Sequence, residues 1–469
     1  MEKTQLAIIG AGPGGYVAAF KAADLGLDVT LIDLDPHPGG VCLYRGCIPS
    51  KALLHVAKLL NEAREAELWG ITFGNPEIDL NRLNAFKEQV IAKMTGGLAQ
   101  LAKTRKVNFV QGRARFTDSQ SLKVELIKGG NQDIRFDNAI VATGSNPSTV
   151  PMFDIGSARV MDSTDALELS EIPDRLLVVG GGIIGVELGT VYAALGSKVS
   201  IVEMLPGLIP PADRDLVKPL HNRLEKQFER IIVDTTVSAV QSENNCLTIS
   251  FNPKNENPFQ DSYDKLLLSV GRTPNSTKLG LENTKVSLDG RGYIQVDHQR
   301  RTEEPSIFAI GDVIGSALAH TASHEGSVAV EVITGHRSAF EPNAIPNVVY
   351  SDPEIAWCGL TEEDAKTDGR EVKITRFPWG ASGRATTQDR NDGLTKLIVD
   401  KTNERVLGVG VVGVGAGELI AEGVLAVEMA AVAGDLHHTI HPHPTLSETL
   451  MESAEMVGGQ SPHLAPNKK

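Results

Sequence analysis

A chain of 469 residues with 41% hydrophobic and 22% charged residues is long enough for three or four compact units, each with its own core. Its net charge, 45 − 59 = −14, is not interrupted by any run of five basic residues, so nucleic acid and anionic membrane surfaces are poor partners. No apolar stretch approaches the roughly 18 residues that span a bilayer, and the most apolar late segment, Ala416 to Gly434, is broken by Glu418, Glu422 and Glu428.

In chain order, the N-terminal MEKTQLAIIGAGPGG enters a strand, Leu6 to Ile9, at once. It has no basic region, apolar signal core or cleavage site, so the chain is read as starting here, in a reducing, cytoplasmic compartment. The strand runs into GAGPGG (residues 10–15), an amphipathic stretch, and a second strand, Val29 to Asp33, that ends in an acid. The same order recurs as Leu176 to Val179, GGGIIG (residues 180–185) and Val199 to Glu203. Two complete βαβ contexts predict two dinucleotide-binding folds in tandem. Gly10 and Gly12, like Gly180 and Gly182, let the backbone approach a pyrophosphate at a helix N-terminus; Gly15 and Gly185 let helix sit close on strand. Asp33 and Glu203 would accept hydrogen bonds from ribose hydroxyls, and a carboxylate at the second position repels the 2′-phosphate of NADP, which favours NAD. The plainer reading of each acid is a charge that merely ends a strand.

Between these folds, GGVCLYRGCIPSKALLH (residues 39–55) places Cys42 and Cys47 five apart, before a helix read from Pro49 onward. Four cysteines, with Cys246 and Cys358 isolated, are too few for a disulfide framework, so the close pair points to redox chemistry or metal, with two buried thiols as the bland alternative. Zinc would want a second pair or clustered histidines, and His55 stands alone. Five residues of ideal helix rise about 7.5 Å, so a bond between this pair needs a distorted turn, which Gly46 could supply. A Cys47 thiolate would be stabilised by the helix N-terminus, as a redox dithiol requires. Lys51 falls in the first helical turn, where the macrodipole disfavours a cation; it is either solvated or a charge held for function.

Buried-looking strands, Ala139 to Ala142 and Leu266 to Val270, lead into the crossings Gly144 to Pro151 and Gly271 to Ser276. Beyond residue 343, Gly393 to Asp400 and Arg405 to Gly413 read as an antiparallel pair followed by helical periodicity. Near the end, HPHPTLSE (residues 441–448) follows His437 and His438. A metal site there is opposed by Pro442 and Pro444, which break a shared helical face. Thr445 to Glu448 fits a capping box, or Glu448 fixes the tautomer of a histidine base. The tail, Gln460 to Lys469, reads as disordered. The fold class is α/β, two tandem Rossmann-like domains followed by a C-terminal α+β domain, with segments 1–147, 148–270, 271–342 and 343–469.

GGVCLYRGCIPSKALL, the paired dinucleotide folds, IFAIGD (residues 307–312) and HPHPTLSE together resemble the dihydrolipoamide dehydrogenases of the pyridine nucleotide–disulphide reductase family, over essentially the whole chain. The resemblance implies FAD in the first fold, NAD in the second, a central segment that returns to the flavin, and a C-terminal interface domain of a homodimer. It implies a redox disulfide in which Cys42 exchanges with the substrate dithiol and Cys47 forms the charge-transfer thiolate against the flavin. Lys51 would lie near the flavin N5, Gly144 and Asp312 would belong to the FAD site, and Glu187 and Gly271 to the NAD site. His443 would be the base, oriented by Glu448. The implied reaction oxidises lipoyl groups carried on a separate chain, no lipoyl domain preceding Met1, and reduces NAD. Reductases of other disulfides with the same fold, and a flavoprotein assembly subunit without dithiol turnover, are the alternatives. One departure is Tyr44, where these enzymes usually carry asparagine.

Overall fold

The computed structural model describes residues 2–243, 245–459 and 461–464. The first apolar run is the inner end of β1 (Glu2–Ile9), where Leu6 to Ile9 are all buried because parallel strands flank them on both sides. After it come α1 (Pro13–Asp24), β2 (Val29–Asp33), α2 (Gly40–Arg45), α3 (Cys47–Glu65), α4 (Leu80–Thr104), β3 (Asn108–Asp118), β4 (Ser121–Leu126) and β5 (Asn131–Val141). Parallel pairing gives the order β3-β2-β1-β5, and β4 bridges β3 and β5 antiparallel.

The chain leaves through β6 (Ser145–Pro147) and builds a second unit from β7 (Val160–Met161), α5 (Ser163–Glu168), β8 (Arg175–Val179), α6 (Ile183–Leu195), β9 (Lys198–Val202), α7 (Arg214–Gln227) and β10 (Arg230–Ile232). The antiparallel sheet β11 (Thr235–Glu243), β12 (Cys246–Pro253), β13 (Phe259–Tyr263) and the strand β14 (Lys265–Leu268) complete it. Its parallel sheet has the order β10-β9-β8-β14-β7. In both units the glycine turn lies at the carboxyl end of a strand whose two neighbours are reached in opposite directions, the crevice where open α/β sheets bind ligands.

β15 (Arg272–Pro274) pairs antiparallel with β6, so the two crossings run back to back. Residues beyond it return to the first unit: β16 (Ile307–Ala309) extends the first sheet beside β5, and α8 (Ala319–Ile333) packs along α1. The C-terminal part contains β17 (Asn347–Val349), β18 (Glu354–Gly359), α9 (Glu362–Thr367), β19 (Val372–Pro378), α10 (Gly383–Thr387), β20 (Leu394–Asp400), β21 (Val406–Gly413), α11 (Ala416–Glu428), α12 (Ala433–His438) and α13 (Glu448–Glu455). Its sheet, β17-β18-β21-β20-β19, is antiparallel throughout, and the predicted pair is β20 and β21.

Two buried ion networks dock α7 to this sheet. Lys396, 1% exposed on β20, donates to Asp213 at 2.6 Å and to Asp215 and Glu362 at 2.7 Å, so an ammonium already fills the one carboxylate cluster among the described residues with cation-site spacing. Asp352 accepts from Arg390 at 2.6 Å and from Arg223 of α7 at 2.7 Å. The structure corrects several boundaries: β5 ends at Val141 and β14 at Leu268, Glu203 lies one residue beyond β9, β20 and β21 start at Leu394 and Val406, and α3 begins at Cys47 instead of Pro49. Of the polar tail, Ser461 and His463 hydrogen-bond to Glu452; Gln460 and residues 465–469 lie outside the described residues.

Candidate active site

A single cleft of about 1270 Å³ is lined by both glycine turns, both close cysteines, and Arg45 and Gly46 between the cysteines. Each turn divides its labour in the same way. Gly10 and Gly180 have φ of +101° and +106°, and a Cβ there would come within 2.2 Å of the Ala142 carbonyl and 2.5 Å of the Ser269 carbonyl. Gly12 and Gly182 cap α1 and α6, and a Cβ on either would meet nothing within 4 Å, so open space faces the free N–H groups of the helix ends. Gly15 and Gly185 do not line the cleft; a Cβ on them would strike the carbonyls of Gly10 at 1.8 Å and Gly180 at 2.1 Å. These two cradles fit two dinucleotides.

The strand-end acids brace the turns. Asp33 accepts the Ala11 N–H at 2.5 Å and the Asp35 N–H at 2.9 Å, while burial pushes its carboxyl above the ordinary value against those two bonds. Glu203, buried, accepts the Gly181 N–H at 2.7 Å and the Leu205 N–H at 2.8 Å. Both acids line the cleft. So do Gly144, Gly271 and Asp312, brought together by the β6–β15 crossing: Arg272 donates to the Ser145 hydroxyl at 2.7 Å, and that hydroxyl donates to Asp312.

Gly46 (φ −147°, ψ −113°) breaks the helical run, so α2 carries Cys42 and α3 starts on Cys47. This is the distortion the spacing demands, and it leaves the two thiols in hydrogen-bond contact. The contact drives them apart: hydrogen bonding to Cys47, with burial, pushes Cys42 up, while the Cys42 hydrogen bond, aided by the Lys51 charge, pulls Cys47 down to about 7. Cys47 is exposed into the cleft and Cys42 is half-buried behind it. Tyr44 points its hydroxyl to the His37 carbonyl at 3.3 Å, and Arg45 forks onto Asp35 at 3.0 and 2.8 Å.

Because α3 begins at Cys47, Lys51 is its fifth residue, past the turn in which the helix dipole opposes a cation, and its charge is met from the other domain. Its ammonium meets Glu187 of α6 at 2.8 Å. The other Glu187 oxygen accepts the Tyr350 N–H at 3.0 Å, and the Tyr350 ring lies 4.6 Å below the Lys51 nitrogen. All three parts of the chain meet on this ion pair. Tyr350 escapes the sequence reading, since nothing in its local pattern distinguishes it.

His443 and Glu448 do not line this cleft. The His443 side chain is 78% exposed, and its Nδ1 sits 2.8 Å from Glu448 Oε1, which leaves Nε2 open to solvent. The capping box does not form, because the Thr445 hydroxyl donates to the Pro442 carbonyl and α13 begins only at Glu448. Glu448 Oε2 instead accepts the Thr445 N–H at 2.7 Å. Burial acts to raise the Glu448 carboxyl, but that N–H and His443 outweigh it and hold it below the usual carboxylate range. An ionised acid on Nδ1 fixes the tautomer with Nε2 free, the form a base requires.

Residues 4–326 match the pyridine nucleotide-disulphide oxidoreductase family, and residues 345–454 match that family's dimerisation domain. The chain is 47% identical to dihydrolipoyl dehydrogenases of Vibrio parahaemolyticus (all of this chain, 98% of that one) and Haemophilus influenzae (all of this chain, 97% of that one). It is 42% identical to the dihydrolipoyl dehydrogenase of Geobacillus stearothermophilus, over 98% of each chain. Among solved structures it superposes on LpdA from Mycobacterium tuberculosis with a TM-score of 0.89 (26% identity, 97% of this chain and 99% of that one). An HOCl-induced flavoprotein disulfide reductase of Escherichia coli gives 0.86 (29% identity, 97% of this chain and 100% of that one). With both its catalytic and its dimerisation regions matched, the chain belongs to the pyridine nucleotide-disulphide oxidoreductase family.

Proposed function

We propose that this protein is a dihydrolipoamide dehydrogenase: as a homodimer holding FAD in the first glycine cradle and NAD in the second, it oxidises lipoyl dithiols on a separate carrier and reduces NAD. The observation that carries the reading is the one cleft in which Cys42, Cys47 and the Lys51–Glu187 pair stand between two nucleotide cradles. Bound FAD supplies the two-electron relay from the dithiol to the nicotinamide.

His443 takes the proton of one substrate thiol at Nε2 while Glu448 holds Nδ1. The thiolate attacks Cys42 Sγ in the oxidised Cys42–Cys47 pair, the S–S bond breaks, and Cys47 departs as a thiolate, favoured by the Lys51 charge. The second substrate thiol then attacks the substrate sulfur of the mixed disulfide, releasing oxidised lipoyl while its proton passes to the displaced Cys42, which is left as a thiol beside the Cys47 thiolate. Two electrons have passed from substrate to the cysteine pair. The exposure of His443 away from its own cleft, within the matched dimerisation region, supports its serving the neighbouring subunit. Glu203 favours NAD, since a 2′-phosphate would meet a buried carboxylate.

Anaerobic titration with dihydrolipoamide tests the reading. A long-wavelength thiolate–flavin band, discharged by NAD with formation of NADH, is expected; bound flavin that neither develops the band nor turns over would leave an assembly subunit instead. The 47% identity to dihydrolipoyl dehydrogenases, against 29% to the HOCl-induced reductase, favours lipoamide over other disulfides.

A further inference from the structure

Two residues before His443 stands a second histidine–glutamate pair that this chemistry does not use. His441, its side chain 4% exposed, has Nδ1 2.8 Å from the Thr439 carbonyl oxygen and Nε2 2.8 Å from Glu422 Oε1 on α11. Both oxygens are acceptors, so each contact is a hydrogen bond only if the ring nitrogen carries a proton. Neutral imidazole has one N–H. In either tautomer a nitrogen lone pair would face an oxygen lone pair in a buried site, which costs the bond and the desolvation together. Moving the proton to Glu422 does not resolve this, because imidazole is the stronger base and the Glu422 side chain, 33% exposed, keeps access to water.

We propose that His441 is an imidazolium, protonated on both nitrogens, that pins the base-bearing loop to α11 and is a positioning residue for His443. The proposal rests on the reading of His443 as the proton acceptor. The link between the two histidines is stiff: Pro442 and Pro444 flank His443 with fixed φ, and the Pro442 carbonyl accepts the Thr445 hydroxyl at 2.7 Å. The charged groups facing His441 are Glu422 from α11 and Glu448 from the start of α13, whose carboxyl feels the His441 charge. One histidine is closed on both nitrogens and cannot be a base; the other is open on one and can.

Neutron diffraction from the deuterium-exchanged holoenzyme is expected to show deuterons on both ring nitrogens of His441, and a single deuteron there overturns the proposal. In stopped-flow reduction by dihydrolipoamide, His441→Ala should lose roughly tenfold in rate, as expected when a charged hydrogen-bond anchor is removed. NADH oxidation by ferricyanide, which bypasses the cysteines, should stay unchanged. Glu422→Gln can donate an amide N–H to a neutral His441, so it should remain within about twofold of wild type, whereas Glu422→Ala should fall with His441→Ala. Equal losses in Glu422→Gln and Glu422→Ala, or equal losses in both assays, refute positioning. Full dithiol turnover in His443→Gln would sink the base reading instead, and the deuterons on His441 would be unaffected by that failure.

Discussion

The ionisation of Cys47 gives the sharpest test of how the cysteine pair works. Its thiol is lowered from the ordinary 9.0 to about 7, chiefly by the hydrogen bond from Cys42, against burial and with help from Lys51. A depressed thiol holds its charge above the shifted value and loses it as pH falls through it, so at pH 7 about half of Cys47 is thiolate, against about 1% for an unperturbed thiol. The thiolate–flavin band of the dithiol form, followed anaerobically against pH, should therefore reach half its height near pH 7 and fade below it. In Cys42→Ala the largest lowering contribution is gone, while burial and Glu187 still push upward and only Lys51 and a backbone N–H pull down. Its half-height should move to distinctly higher pH, and Lys51→Met in the same background should move it higher again. A wild-type half-height near 9, or a Cys42→Ala titration at or below that of wild type, would refute the account.

Glu203→Arg loses two backbone anchors and the carboxylate that opposes a 2′-phosphate; the ratio of kcat/KM for NAD over NADP should narrow, and an unchanged ratio moves the discriminating residue elsewhere. Asp352 is held below the usual carboxylate range because Arg390 and Arg223 outweigh its burial, so its contribution to stability is complete at neutral pH and is lost as pH falls through that lowered value. Asp352→Asn, which leaves Arg390 with Asp392 alone and Arg223 with Glu65 alone, should cost about 1–3 kcal/mol in denaturant unfolding and remove that acid dependence. Mixing Cys47→Ser with His443→Ala homodimers should restore about a quarter of wild-type activity after random exchange, because half the dimers are mixed and each has one intact site if the base acts in trans. Exchange verified by mass with no recovery would place base and cysteines in one subunit.

What the sequence makes legible is chemistry carried by a single position. Gly10 must adopt positive φ, Gly12 must leave a backbone open and Gly15 must admit a carbonyl, and each need can be read from a glycine in its register. The broken helix at Gly46 follows from covalent reach, since two cysteines five apart cannot meet across an ideal helix. Glu448 shows the limit of local pattern: its two oxygens take on separate tasks, one toward His443 and one toward the Thr445 N–H, and a capping-box spacing cannot tell which. Lys396 and Tyr350 leave no trace, because periodicity reports which face of an element is buried and is silent on what it meets.

The Lys51–Glu187 pair explains why the site belongs to the crossing between units. Glu187, with a side chain 5% exposed, would be an uncompensated buried charge in the second domain alone, and Lys51, half-buried, would lack its carboxylate partner in the first alone. Each domain thus carries a local fault that the other corrects, and the Tyr350 N–H from the C-terminal part satisfies the oxygen left over. Docking converts two unfavourable charges into one oriented pair that adjoins Cys47, whose thiolate feels both: Lys51 lowers its pKa and Glu187 raises it. A cysteine placed on either domain without this junction would keep neither influence. The lysine that the sequence places in the first helical turn lies beyond it, and what holds its charge is a contact made 136 residues away.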